Sequence, residues 1–278
     1  MVLSRRMSKK NTHGRLVIIT DLDGTLLHPK TYSYADVSPA LELIINRDIP
    51  LVFCSSKSRA ELEVYRRLLK NRHPFIVENG GGIFVPDEYF SFVVEGEPRS
   101  GYRVIHLGTS YDEIRRQFVS LRTRLHVPVR GFGDMTPDEV SSLTGLAKDA
   151  AVLAMQRNYD EPFMFPDAPN RIFLQAIEDS GLHWTEGRFF HIMGNHDKGH
   201  AVRILRGLFE REAGPVRTVG LGDQLNDLSF LRIVDKPILV RREDGSYDER
   251  INIPGLYRTQ GIGPEGWNEA VLSLLLNT

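Results

Sequence analysis

The sequence predicts an α/β protein, a doubly wound, Rossmann-like parallel-sheet core interrupted by an inserted α/β cap domain. Three observations carry that expectation. Aliphatic and β-branched runs of strand length alternate with amphipathic helical stretches at both ends of the chain. The alternation breaks off near Pro86 and resumes after Gly194, leaving an insert of roughly 100 residues, enough for a domain. Polar clusters stand where the predicted core strands end, which is where open α/β sheets gather functional groups.

Leu16 to Thr20 is a continuous apolar run and reads as the first core strand. Ser38 and Pro39 open the first helix, whose apolar stripe is ALELIIN at 40–46. IPLVFCS at 49–55 is the next strand, and Ser58 with Glu61 forms a capping pair ahead of the helix over 59–70. HPFIVENGGGIFV at 73–85 reads as a strand, a glycine-rich turn and a short strand. In the insert, SFVVEGEP at 91–98 and YRVIHLG at 102–108 look like antiparallel strands, and Ser110 with Glu113 caps a helix over 111–125. HVPVRGF at 126–132 is a further strand. Helices follow from Thr136 and over 147–158, then strand 161–165, helix 169–181 and strand 188–194. The core pattern returns with a helix over 198–212, strand 217–223, a helix near 226–232, strand 237–240 and a helix over 265–277. The expected division is a disordered basic tail over 1–13, a core over 14–85 and 191–278, and a cap over 86–190.

With 278 residues and a formal net charge of −1, the chain has no global field to attract nucleic acid or an anionic membrane. No apolar stretch approaches the roughly 20 residues that span a bilayer. The lone cysteine, Cys54, has no intramolecular disulfide partner, which fits a reducing cytoplasm.

Four clusters could carry chemistry: Asp21 and Asp23 after LVIIT, Ser55 after LVFC, Lys198 at a helix start, and Asp223, Asn226 and Asp227 in GDQLND after RTVGL. Each has an ordinary reading as a turn, a cap or a solvated charge. Together, in this order and each at a strand end or an adjoining helix start, they outweigh those readings. Buried carboxylates meeting at one sheet edge need cations. Lys198 supplies one, and oxygen ligands of this kind suit Mg²⁺ with substrate phosphate. An aspartate can attack phosphorus once metal and lysine screen the repulsion, while a second carboxyl group handles the proton. Cys54 has no base beside it and reads as a strand residue, and His191, His196 and His200 are spread over a strand, a loop and a helix.

DLDGT, the serine after LVFC, the lysine of DKG and GDQLND resemble the four motifs of the haloacid dehalogenase superfamily of phosphohydrolases. That resemblance implies a Mg²⁺-dependent phosphatase working through an aspartyl-phosphate. It makes Asp21 the nucleophile and a metal ligand, and Asp23 the acid/base and a further member of the metal set, offering its backbone carbonyl. Ser55, with its neighbours Ser56 and Lys57, is implied to hold the phosphoryl group, and Lys198 to balance charge. Asp223 and Asp227 are implied to complete the metal set, and Asn226 to bind phosphate.

The insert resembles the α/β cap of the branch acting on small phosphorylated sugars and related metabolites, and ENGG at 78–81 resembles the loop before it. GFGDMTPDEVSSLTGL, AMQRNYDEPFMF and GRFFHIMGNHDKGHA are similar to phosphatases of phosphorylated glycosyl-glycerates, precursors of a compatible solute. The partner implied is that small molecule, with no nucleic acid and no membrane. SSKS at 55–58 departs from the Gly-Arg that follows the hydroxyl residue in related sugar phosphatases. Gln156, Arg157 and Glu161 are candidates for binding glycerate carboxylate or sugar hydroxyls, against an equal reading as a solvated face. Two other classes stay open: a phosphotransferase or phosphomutase using the same aspartyl-phosphate, and a non-catalytic phospho-receiver module.

Overall fold

The computed structural model describes residues 14–276; the tail expected over 1–13 lies outside them. The first half of the core runs β1 (Arg15–Thr20), α1 (Ser38–Asn46), β2 (Leu51–Cys54), α2 (Arg59–Leu68), β3 (Phe75–Val77) and β4 (Gly82–Pro86). Next come β5 (Glu97–Arg99), β6 (Tyr102–His106), α3 (Tyr111–Leu125), β7 (Arg130–Gly131), α4 (Pro137–Thr144), α5 (Lys148–Ala154), β8 (Asp160–Met164), α6 (Arg171–Asp179), β9 (His183–Glu186) and β10 (Phe190–Met193). The chain closes with α7 (Lys198–Ala213), β11 (Val216–Gly222), α8 (Leu228–Leu231), β12 (Lys236–Arg241), β13 (Tyr257–Ile262) and α9 (Gly263–Leu276).

Nine strands form the large sheet in the order β13-β12-β11-β1-β2-β3-β4-β6-β5. The six from β13 to β3 are parallel and the last three antiparallel. Ile18, Val52 and Leu239 are almost fully buried, as central strands covered on both faces must be. One apolar cluster joins α1 and α9 to the sheet, and another joins α7 and α8 to it. The strand order reverses direction at β1, which lies between β2 and β11, so the carboxyl ends of all three meet at a topological switch point.

A second, antiparallel sheet has the order β7-β8-β10-β9. Phe118, Phe163, Phe173 and Ile192 pack it against α3 and α6, while Phe132, Val140, Leu146 and Ala151 form a separate cluster with α4 and α5. The insert is smaller than the span expected for it. β5 and β6 extend the large sheet beside β4, and β10 belongs to the small sheet, so the crossings lie near 107–110 and 194–197 instead of at 86 and 190. The two crossings touch: a side chain at Gly194 would stand 2.3 Å from the Thr109 hydroxyl.

Three further differences have physical causes. The apolar residues at 90–94 are not a strand; Phe90 and Val94 sink into the core, and Phe90 packs edge-on against Phe209 of α7 at 5.3 Å. Only Arg130–Gly131 of the 126–132 segment pairs, because Val127 and Val129 point into the α3–α6 core. β9 and β13 are polar and lie at sheet edges, so they lack an apolar signature.

Gly80 has φ +98°, and a Cβ there would meet the carbonyl oxygen of Asp197 at 2.2 Å, at the entry to α7. We expect Gly80→Ala to cost about 2 kcal/mol or more and to lower Tm by roughly 5 °C. A thermal melt indistinguishable from wild type would show that the backbone there yields.

Candidate active site

Asp21 follows β1 directly, its amide bonded to the Leu221 carbonyl of β11 at 2.9 Å. Trp267 donates to the Thr20 hydroxyl at 2.9 Å, and that hydroxyl donates to the Asp21 carbonyl at 2.7 Å, which fixes the strand end. Gly24 turns the chain with φ +80°, and a side chain there would come within 2.7 Å of Asp223 Oδ2. The turn is thus what lets the loop after β1 lie against the loop after β11.

Lys198, buried at the first turn of α7, donates to Asp21 at 2.7 Å and to Asp227 at 2.6 Å. The second oxygen of Asp227 accepts the amides of Asp223 at 3.0 Å and Gln224 at 3.1 Å, while Thr25 donates its hydroxyl to Asp223 at 2.8 Å. Carboxylate oxygens of Asp21, Asp223 and Asp227 lie within 4.8 Å of one another. Three buried carboxylates against one ammonium leave two negative charges uncompensated. Burial pushes Asp21 up to about 7 in spite of Lys198, with Asp227 and Asp23 adding to the rise. Asp223 is raised well above the carboxylate range by burial and by Asp227 and Asp21. For Lys198 burial disfavours the charge, but Asp21 and Asp227 outweigh it and the ammonium is held. Hard oxygen donors with two charges to neutralise fit a hard divalent cation such as Mg²⁺.

Asp23 differs from this trio. One of its carboxylate oxygens meets Lys57 at 2.9 Å, and the other is buried with no hydrogen-bond partner. Its side chain stands apart from the trio, and its main-chain carbonyl is the group expected at the metal. Lys57 also meets Glu61 at 3.3 Å and stands 4.9 Å over the Tyr32 ring. Burial opposes its charge, and Asp23 and Glu61 more than offset that. Ser55 is fully buried and its hydroxyl accepts the Lys57 amide at 3.2 Å, whereas Ser56 lines the cleft. Burial pushes the Cys54 thiol far up, consistent with an inert strand residue.

Asp21 and Asp23 line a cleft shared by core and insert, with a cavity of about 80 Å³. A family model described as haloacid dehalogenase-like hydrolase matches residues 18–95. The chain is 45% identical over 263 residues to a glucosyl-3-phosphoglycerate/mannosyl-3-phosphoglycerate phosphatase of Methanococcoides burtonii, covering 93% of this chain and 97% of that protein. This chain belongs to the haloacid dehalogenase-like hydrolases. It is also 33% identical to a mannosyl-3-phosphoglycerate phosphatase of Pyrococcus horikoshii, over 81% of this chain and 90% of that one. In fold it is similar to a haloalkanoate-superfamily phosphatase from Bacteroides thetaiotaomicron, with TM-score 0.67 at 14% identity over 99% of this chain and 100% of that one. A sucrose-phosphatase from Synechocystis gives TM-score 0.60 at 13% identity over 94% and 98%.

Within this hydrolase the expected insert residues separate. Arg157 lines the cleft but is buried in carboxylates: it pairs with Asp160, lies 3.7 Å from Glu78 and 3.8 Å from Glu61, and donates to the Ser56 carbonyl at 2.8 Å. Gln156 faces a different groove, beside Arg59, Glu63 and Arg99. Glu161 is turned into the insert, accepting from Tyr111 at 2.7 Å, Arg115 at 2.9 Å and the Gly133 amide at 2.8 Å. Asn226 lines the cleft and donates to Asn79 at 3.1 Å; Asn79 in turn donates to Asp160 at 2.9 Å.

Glu78 fastens the hydrolase core to the insert. Its buried carboxylate accepts the amides of Asn158, Tyr159 and Asp160 at 2.7–3.1 Å, and burial pushes it up to about 7. His191 lines the cleft, 2.9 Å from Asp160. Tyr32, Phe132, Arg188 and Phe189 also line it, and none was picked out from the sequence. Tyr32, Arg188 and Phe189 lie outside the strands and helices and Phe132 opens a 3-10 turn, although 126–132 and 188–194 were expected to be strands.

Added Mg²⁺ should raise the Tm of wild type by roughly 5 °C, because an ion held by the trio would bind the folded state alone. Asp223→Asn should lose that shift. A wild-type melt indifferent to Mg²⁺ would show that the trio is no cation site.

Proposed function

We propose that this chain is a cytoplasmic, Mg²⁺-dependent phosphatase that releases phosphate from glucosyl- or mannosyl-3-phosphoglycerate, with Asp21 as nucleophile. The carrying observation is the Asp21–Lys198–Asp227 bridge at the switch point, one face of which opens on a cleft walled by the insert. The relatives named for these two substrates support the choice of substrate. The lone cysteine, which forms no disulfide, supports the compartment.

Mg²⁺, held by Asp21 and Asp223 with Asp227 beside them, would neutralise phosphate charge so that a carboxylate can approach it. Asp21 attacks phosphorus; the Asp21–phosphorus bond forms as the ester oxygen leaves. Asp23 gives that oxygen its proton, and its unpartnered carboxylate oxygen is suited to the exchange. A water then attacks the aspartyl-phosphate, losing a proton to Asp23, and inorganic phosphate departs from a regenerated Asp21 carboxylate. Lys198 favours the ionised form of Asp21 before the attack and after hydrolysis, and holds it in position. Lys57 holds the Asp23 carboxylate in place. Phe132, Leu146 and Phe189 supply an apolar wall for the sugar.

Asp21→Asn should reduce phosphate release at least about 10³-fold with the fold retained; near-normal turnover would overturn the nucleophile assignment. Asp23→Asn should slow a sugar-type ester about 10²-fold or more and p-nitrophenyl phosphate much less, since the latter's leaving group needs little protonation. Equal losses on both would remove the acid role. A phosphate-release screen across phosphorylated sugars and glycosyl-phosphoglycerates should favour the latter. Preference for a simple hexose phosphate, or transfer to a sugar hydroxyl instead of water, would redirect the reading.

A further inference from the structure

Three cationic side chains line the cleft: Lys57, Arg157 and Arg188. The first two are buried and already met by acid, Lys57 by Asp23 and Glu61, and Arg157 by Asp160, Glu78 and Glu61. Arg188 is different. It is exposed, in the turn between β9 and β10, and its guanidinium bonds only neutral oxygens: the Tyr32 hydroxyl at 2.9 Å, the Leu143 carbonyl at 3.4 Å and the Pro29 carbonyl at 3.5 Å. No carboxylate among the described residues pairs with it.

We infer that Arg188 is the receptor for the substrate's carboxylate, an inference that rests on the proposed phosphoglycerate substrate. Such a substrate carries two anions. The phosphoryl group has Lys198 and the trio's cation, but the carboxylate must enter a cleft whose other walls include Asp21, Asp23 and Glu61. Without a cation of its own it would be repelled. A guanidinium offers a planar fork matched to a carboxylate, and this one is braced in position by Tyr32, whose own hydroxyl donates to the Thr144 carbonyl at 3.1 Å. Arg157, the sequence-level candidate for this role, is neutralised by its neighbours. Tyr32 belongs to the core and Arg188 to the insert, so the carboxylate site is assembled only where the two meet.

The test uses 3-phosphoglycerate and glycerol 3-phosphate, which differ chiefly in a carboxylate, as competitors of p-nitrophenyl phosphate hydrolysis by the Mg²⁺-loaded enzyme. Wild type should bind 3-phosphoglycerate more tightly, and Arg188→Gln should shrink that preference roughly tenfold to a hundredfold. Arg188→Lys should restore part of it, keeping the charge but not the fork. If Arg188 merely braces the insert, both competitors weaken in the same proportion and the preference survives, which overturns the inference. Wild type showing no preference overturns it as well. The substrate reading fails by a separate result, namely no phosphate released by wild type from either glycosyl-3-phosphoglycerate while p-nitrophenyl phosphate is still cleaved.

Discussion

The bridge from Asp21 through Lys198 to Asp227 is the interaction on which the rest depends. Asp21 comes from the first half of the chain, while Lys198 and Asp227 come from the part after the insert. The ammonium is almost completely buried, so losing either acid would strand charge in a dry site, a cost of about 3–5 kcal/mol for a broken buried pair. The geometry of α7, the placement of β11 beside β1 and the return path from the insert are all constrained to bring these groups together. Lys198 alone does not satisfy the acids. The remaining negative charge is a standing destabilisation, which a divalent ion held among the three acids would relieve.

How much of this could be read from the chain depended on whether a residue's role is local. β1, β2 and β11 announce themselves because strands covered on both faces must be continuously apolar, and the polar residues that end them then stand out. Asp21, Asp23 and Asp223 stood out for that reason, and Lys198 as the first residue of a helix. The strands β9 and β13 were not, since an edge strand needs only backbone partners. The apolar residues around Phe90 misled in the opposite direction, since packing against α7 demands the same side chains as a buried strand. Partner choice was illegible throughout. Arg157 and Arg188 have the same chemistry, and only the fold decides that one is surrounded by acids and the other by carbonyl and hydroxyl oxygens.

Core and insert are held together by backbone as much as by side chains. Glu78 and Asn79 occupy left-handed backbone, φ 47° and 57°, an expensive conformation for residues with side chains. They are kept there by what they reach: Glu78 takes three successive amides at the start of β8, and Asn79 joins Asp160 to Asn226. The motif after β11 and the first residue of β8 therefore share one hydrogen-bonded chain, which gives the core side and the insert side of the cleft a common frame.

The contact between Gly194 and Thr109 has a meaning for the architecture as a whole. A segment that leaves a sheet and re-enters it at the same point is, for the sheet, a loop whose ends are already together. Its closure entropy grows only logarithmically with length, so the core is nearly blind to how much chain hangs from that point. The length of the insert is thus a small term, and what a replacement would have to match is the set of buried core carboxylates, Glu78 and Glu61, that this insert meets with its amides and with Arg157. The carboxylate trio stays with the sheet, and the insert, entering and leaving at neighbouring points, adds the far wall of the cleft.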